Sequence, residues 1–259
     1  MKRPWSDWVT ETRNSIVTSE RSPLTKHDLI HACVLHRRDY RDTSLLLELF
    51  TPQLGRVPAI AKGVRTGRSH RVALLQPFSP LLVSLSGRGE IQSLGQTEAE
   101  SRPYRLTGDR LYCGFYINEL MMRLLERRDP YPGLYAFYLQ TLERLTSQEP
   151  PDQCLRDFEI QLMVELGYGM LLDQTADSGE PVEAELIYHY VIEQGPIRGG
   201  IGPMDQQIHG RTLLCLHNRQ LLDETGVSEA KRLMRRVLAH YLGDKPLKSR
   251  ELFQGLKKP

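Results

Sequence analysis

From Asp28 to Leu94 the apolar residues come in five short runs, whereas beyond Tyr104 they recur at helical spacing, and this change of period constrains the fold more than any other feature. The runs are Leu29–His36, Leu45–Phe50, Gly55–Ala61, Leu81–Leu85 and Glu90–Leu94. Each has strand length. Thr51-Pro52-Gln53-Leu54-Gly55 turns the second run into the third, and Ser86-Gly87-Arg88-Gly89 joins the fourth to the fifth. Arg37–Asp42 reads as a charged connection. Five short strands in one span fit a small closed barrel such as the OB-fold, and the pattern alone leaves an SH3-like barrel open.

The helical half begins with Asp109–Arg128, where Leu111, Phe115, Leu120, Leu124 and Leu125 lie near one face and Asp129-Pro130 ends the helix. A second helix is expected near Tyr131–Ser147. A third runs near Cys154–Leu166, stopped by Gly167-Tyr168-Gly169, a C-terminal capping stretch. Residues 173–205 are rich in glycine around a hairpin at Leu186–Ile192; Gly210–Asn218 and Glu229–Leu242 are helical, and a last short helix starts near Leu247. The expectation is an α+β chain: a polar N-terminal extension (1–27), an N-terminal OB-fold β-barrel (28–104), a helical bundle (105–170) and a mixed, loop-rich and helical C-terminal region (171–259). The 40% hydrophobic content is enough for a proper core. No apolar run approaches the roughly 20 residues that span a bilayer, and the N-terminus lacks the apolar core of a signal peptide, so the cytoplasm is the expected compartment.

Charge is distributed unevenly. The chain carries only +2 overall, yet residues 1–105 hold 16 Lys and Arg against 10 acids, residues 106–227 hold 9 against 19, and residues 228–259 hold 9 against 3. From Leu49 to Gly89 there is no Asp or Glu, while Arg56, Lys62, Arg65, Arg68, Arg71 and Arg88 are spread through the run with His70 among them. A long acid-free stretch of this kind is a local positive field that a polyanion can follow. Within it, Lys62–Arg71 has too few apolar residues to pack and reads as an exposed, mobile cationic loop. The aromatic complement is thin: Tyr40, Phe50, Phe78 and His70 are available, but Phe50 and Phe78 sit in apolar runs that belong to a core. Backbone-dominated, sequence-tolerant binding follows from that balance.

Catalytic and metal-binding patterns are missing. There is no phosphate loop, no H-E-x-x-H, no G-x-S-x-G and no H-x-E…C-x-x-C. Cys33, Cys113, Cys154 and Cys215 form no close pair that could place two thiolates on one zinc ion, so no metal and no cofactor are expected. Glu119 and Glu126 on the first helix have Arg123, Arg127 and Arg128 as neighbours and read as surface pairing. The chain is expected not to be an enzyme.

Seven strings in order resemble the bacterial RecO family of DNA repair proteins: Lys62-Gly63-Val64-Arg65, Leu75–Leu81, Gly87-Arg88-Gly89-Glu90, Tyr116–Leu120, Phe158-Glu159, Leu166-Gly167-Tyr168-Gly169 and Gly243–Phe253. The resemblance spans about residues 29–256. It implies an N-terminal OB-fold, a central helical bundle and a C-terminal region that in many relatives holds a four-cysteine zinc site. Here Asp173, Thr175, Asp177 and Ser178 stand near those positions, as in the zinc-free branch. It also implies a recombination mediator that binds single- and double-stranded DNA, anneals strands coated by single-stranded-DNA-binding protein (SSB), and with RecR helps to load RecA; a nucleoid-associated location goes with that role. The residues expected on DNA are Arg56, Lys62, Arg65, Arg68, Arg71 and Arg88, with a second basic face of Lys231, Arg232, Arg235, Arg236, Lys245, Lys248 and Arg250. Arg156, beside Leu155 and Phe158, is the candidate for the carboxylate of the SSB C-terminal tail. An RNA-binding OB protein and a protein scaffold that touches no nucleic acid are the alternative readings.

Overall fold

The computed structural model describes residues 28–66, 71–199, 203, 206–243 and 245–249. The chain divides into two compact units: one runs to Thr146 and takes in the segment that begins at Lys248, and the other is Ser147–Leu247. The sequence-based division at 104 and 170 therefore differs from the compact units, which part between the second and third long helices.

In the first unit five strands, β1 (Ile30–Tyr40), β2 (Ser44–Thr51), β3 (Gly55–Ala61), β4 (Pro80–Ser86) and β5 (Gln92–Ala99), close into a barrel in the order β1-β2-β3-β5-β4. β1 closes it by pairing with β4 through Ile30–Cys33 and with β2 from Cys33 onward, with a register shift between Val34 and His36 that lets one strand serve both neighbours. The parallel pairing of β3 with β5 at Ala59 and Ile60 completes the OB-type barrel. Ile30, Ala32, Val34, Leu45, Leu47, Leu49, Ala59, Ala61, Leu81 and Val83 fill its interior.

Two strands depart from the sequence reading. Arg37–Tyr40 continue β1 instead of forming a connection, because backbone pairing with Ser44–Leu47 needs no buried face. β5 extends to Ala99 because β4 pairs with it up to Leu81, even though most of its side chains are exposed.

β2 is buried on both faces, and its outer side meets helices. α1 (Arg71–Leu74) precedes β4, and α2 (Asp109–Leu124) and α3 (Pro132–Thr146) follow the barrel. Phe50 packs on Tyr135 and Tyr138 of α3, with ring centroids 5.5 and 6.3 Å apart. Asn118 of α2 donates to the Leu35 carbonyl of β1 at 2.9 Å and accepts from the Tyr138 hydroxyl at 2.8 Å, so a satisfied polar link crosses this apolar layer. Phe78, at φ 65, lodges its ring against Phe115 at 5.3 Å; a side chain at Gly114 would meet that ring at 2.8 Å. α2 stops at Leu124, four residues before the expected Arg128, because Leu125 turns extended and Arg127 bridges to Arg56 of β3.

In the second unit, α4 (Pro151–Glu165) starts on a proline suited to the first helical turn, earlier than Cys154. A three-stranded antiparallel sheet follows, in the order β7-β6-β8, from β6 (Ile187–Val191), β7 (Gly195–Arg198) and β8 (Gln207–His209). α5 (Gly210–Asn218) and α6 (Glu224–Leu242) complete the unit, with α6 packed on α4 and α5. α6 begins five residues before the expected Glu229 because the Asp223 carboxylate caps it, accepting from the Gly226 N–H at 2.6 Å. The segment with Asp173, Thr175, Asp177 and Ser178 is a hydrogen-bonded turn: Thr175 is buried, its Oγ1 lies 2.9 Å from the Ser178 Oγ, and its N–H donates to Glu180. All four cysteines are free thiols, and burial pushes the Cys33 thiol up to about 12. No described helix is long and apolar enough to cross a membrane.

Candidate nucleic-acid interface

Several cationic residues of the barrel lie at the end of the β1–β2 hairpin. Arg65 brings them together: its N–H donates to the Thr43 carbonyl at 2.9 Å, its Nη1 to the Arg41 carbonyl at 3.1 Å, and its Nη2 pairs with Asp39 at 2.9 Å. Val64 next to it is buried in the barrel core. The described part of the basic loop, residues 62–66, is thus fastened to the hairpin rather than mobile. Arg38, Arg41, Lys62 and Arg65 are all exposed at this hairpin end and on the chain that leaves β3 beside it, as are Asp39 and Asp42. The Arg41 guanidinium carbon lies 5.3 Å from the centre of the Tyr40 ring, and Arg41 sits in the left-handed region at φ 51 to close the turn.

Two further arginines hold this end of the barrel. Arg37 reaches the carbonyls of Val72 and Leu75 at 3.4 Å each, and Arg71 of α1 donates to the Gly95 carbonyl at 2.6 Å. Arg71, expected on phosphate, thus has its Nη2 engaged by β5. Arg68 and His70 lie outside the described residues.

Arg56 also departs from expectation. It is half-buried, 3.8 Å from Glu48, which in turn accepts from Arg127 at 2.6 Å. Burial pulls its guanidinium down from the ordinary value, against the opposing pull of Glu48. A guanidinium facing a buried carboxylate in the barrel wall is less open to a phosphate than the exposed Lys62. Arg88 remains exposed in the β4–β5 turn, and Arg128, which the sequence reading assigned to helix-surface pairing, binds the Gly89 carbonyl of the same turn.

The second basic face divides. Lys231 and Arg235 are exposed on α6, whereas Arg232 donates to the Gln207 carbonyl at 2.8 Å and Arg236 to that of Tyr190 at 3.3 Å, clasping the small sheet. Lys245 is exposed; Lys248 belongs to the barrel unit, and Arg250 lies outside the described residues. Glu119 is not a surface ion-pair partner only. Its carboxylate accepts from the Lys248 N–H at 2.9 Å, the Ser249 N–H at 2.7 Å and the Ser249 hydroxyl at 2.6 Å, capping the start of the C-terminal helical segment. Burial works to raise this carboxyl, but those hydrogen bonds and Arg123 hold it below the usual carboxylate range.

Arg156 was expected at a surface beside an apolar pocket. It is buried instead, as are Leu155 and Phe158, and it pairs with Glu159 at 2.6 Å. α4 is buried on every side from Gln153 to Met163, which no helical periodicity along it announces. What the sequence reading missed are Arg38, Arg41 and Tyr40 as a group. Their signal is the dense Arg-Arg-Asp-Tyr-Arg string, which in local sequence reads as a charged connection and not as a hairpin end.

A closed five-stranded barrel with cations collected at one hairpin, followed by a helical and small-sheet unit, defines the class: an OB-barrel protein with a basic rim. The family models "Recombination protein O N terminal" and "Recombination protein O C terminal" match residues 29–102 and 105–251. A DNA repair protein RecO from Methylococcus capsulatus is 50% identical over 226 residues, 87% of this chain and 93% of the relative. Those of Nitrosococcus oceani and Yersinia pestis are 46% and 44% identical over 88% and 86% of the chain, covering 93% and 92% of their own lengths. The chain belongs to the RecO family of DNA repair and recombination proteins.

Proposed function

We propose that this protein is a recombination mediator that binds single- and double-stranded DNA on the barrel, anneals complementary strands, and with RecR helps to load RecA onto SSB-coated DNA. The observation that carries the reading is the fastening of the basic loop to the β1–β2 hairpin by Arg65, which brings the loop that starts at exposed Lys62 to the hairpin end where Arg41 lies over a part-exposed Tyr40. Annealing requires two polyanions to be held together without reading sequence. Cations on phosphates and one stacking ring supply that, whereas base-edge contacts would obstruct it. Exposed Arg88, Lys231 and Arg235 are further places for phosphate.

The test is an annealing assay on complementary oligonucleotides, bare and SSB-coated, with wild type and Arg41→Ala/Lys62→Ala. The rate should fall by about tenfold, as expected for loss of two phosphate contacts of roughly 0.7 kcal/mol each. An unchanged rate would remove the barrel from the DNA path.

A further inference from the structure

The C-terminal capping stretch of α4 does more than stop a helix. Tyr168 donates its N–H to the Met163 carbonyl at 2.8 Å, and Gly167 takes φ 83, so the chain leaves α4 with the Tyr168 side chain projecting from the unit, 50% exposed. There it stacks on Tyr241 near the end of α6, with ring centroids 4.4 Å apart and planes 29° apart. The two rings border a cleft of about 280 Å³ whose other walls include Tyr190 and Val237, with Glu193 of the β6–β7 turn at its edge.

Glu193 sits at φ 68, in the left-handed region. A glycine would adopt that backbone without strain; the glutamate held there accepts a hydrogen bond from the Tyr241 hydroxyl, which fixes its carboxylate beside the stacked rings. That carboxylate lies 3.2 Å from Nε2 of His240 and is mostly open to solvent.

We propose that this cleft receives a cationic side chain, an arginine or lysine, of a partner protein. Each phenol ring turns one face to the other, so a cation meets the outer π face of the exposed Tyr168 ring with the Glu193 carboxylate nearby to supply the charge. The volume lies just under the range of small-molecule sites, which suits one long side chain rather than a cofactor. Residues 147–247 hold 16 Asp and Glu against 9 Lys and Arg, so a basic partner segment is attracted to the unit as a whole.

The experiment is NMR titration of the ¹⁵N-labelled full chain with N-acetyl-arginine amide, N-acetyl-glutamate amide and a short oligo-dT. Saturable shifts at Gly167, Tyr168 and Glu193 with the arginine probe alone are expected. Glu193→Gln and Tyr168→Ala should weaken them by about tenfold, the scale of a partly desolvated cation–π and ion-pair contact. Glu193→Gly, which relieves the backbone, should melt no lower than wild type and still lose the response. No shifts with the arginine probe, equal shifts with the glutamate probe, shifts with oligo-dT, or binding retained in Glu193→Gly would each overturn the proposal.

Discussion

At the scale of single residues, the fold depends on a few positions whose role comes from distant chain. Gly55 takes φ 63, and a Cβ there would lie 1.8 Å from the Asp129 carbonyl oxygen. Both the backbone conformation and the missing side chain are therefore required, and Gly55→Ala should cost about 3 kcal/mol or more in chemical unfolding. The sequence showed a turn glycine there but could not show Asp129, because that contact joins segments more than seventy residues apart in the chain. Tyr138 is a second case. Its fully buried hydroxyl satisfies Asn118, so Tyr138→Phe leaves an acceptor unpaired and should lower stability by about 1–2 kcal/mol with an unchanged denaturant slope. The expected burial of Phe50 and Phe78, by contrast, was legible directly, since each lies within an apolar run.

At the scale of elements, the barrel strands and the long helices are legible in the sequence, whereas their ends, the short helix α1 and the strand β8 are not. The hairpin end of β1 was missed because Arg37–Tyr40 carry no alternation of burial; its order comes from pairing with β2 and from the loop that Arg65 fastens to it. The C-terminal segment is held by an interaction equally invisible in local sequence, the Glu119 carboxylate accepting from Lys248 and Ser249. Its carboxyl lies below the ordinary value of 4.5, so folding binds the deprotonated form more strongly. The resulting stabilisation is present above the unfolded pKa and is lost as pH falls through the lower folded value. Hydrogen exchange at the Lys248 and Ser249 amides should therefore accelerate as pH drops below about 4.5, relative to the intrinsic rate, while Glu119→Ala should show fast exchange already at neutral pH. Equal protection in Glu119→Ala would mean that other contacts hold the segment.

At the scale of the whole molecule, the sequence predicted basic ends around an acidic middle, and the structure refines which cations are available. Counting charges along the acid-free run could not tell Arg56, tied to Glu48, from Lys62, which is exposed. Nor could it show that Arg232 and Arg236 clasp the small sheet while their neighbours Lys231 and Arg235 stay at the surface. The central claim is that DNA follows the hairpin end of the barrel. The most direct measurement is the affinity for labelled oligo-dT over a salt series, for wild type, Arg41→Ala/Lys62→Ala and Arg56→Ala. The double variant should flatten the log–log slope by about 1.4, two contacts at about 0.7 each, while Arg56→Ala leaves the slope unchanged. A wild-type slope in the double variant, or a flattened one in Arg56→Ala, would contradict this path for DNA.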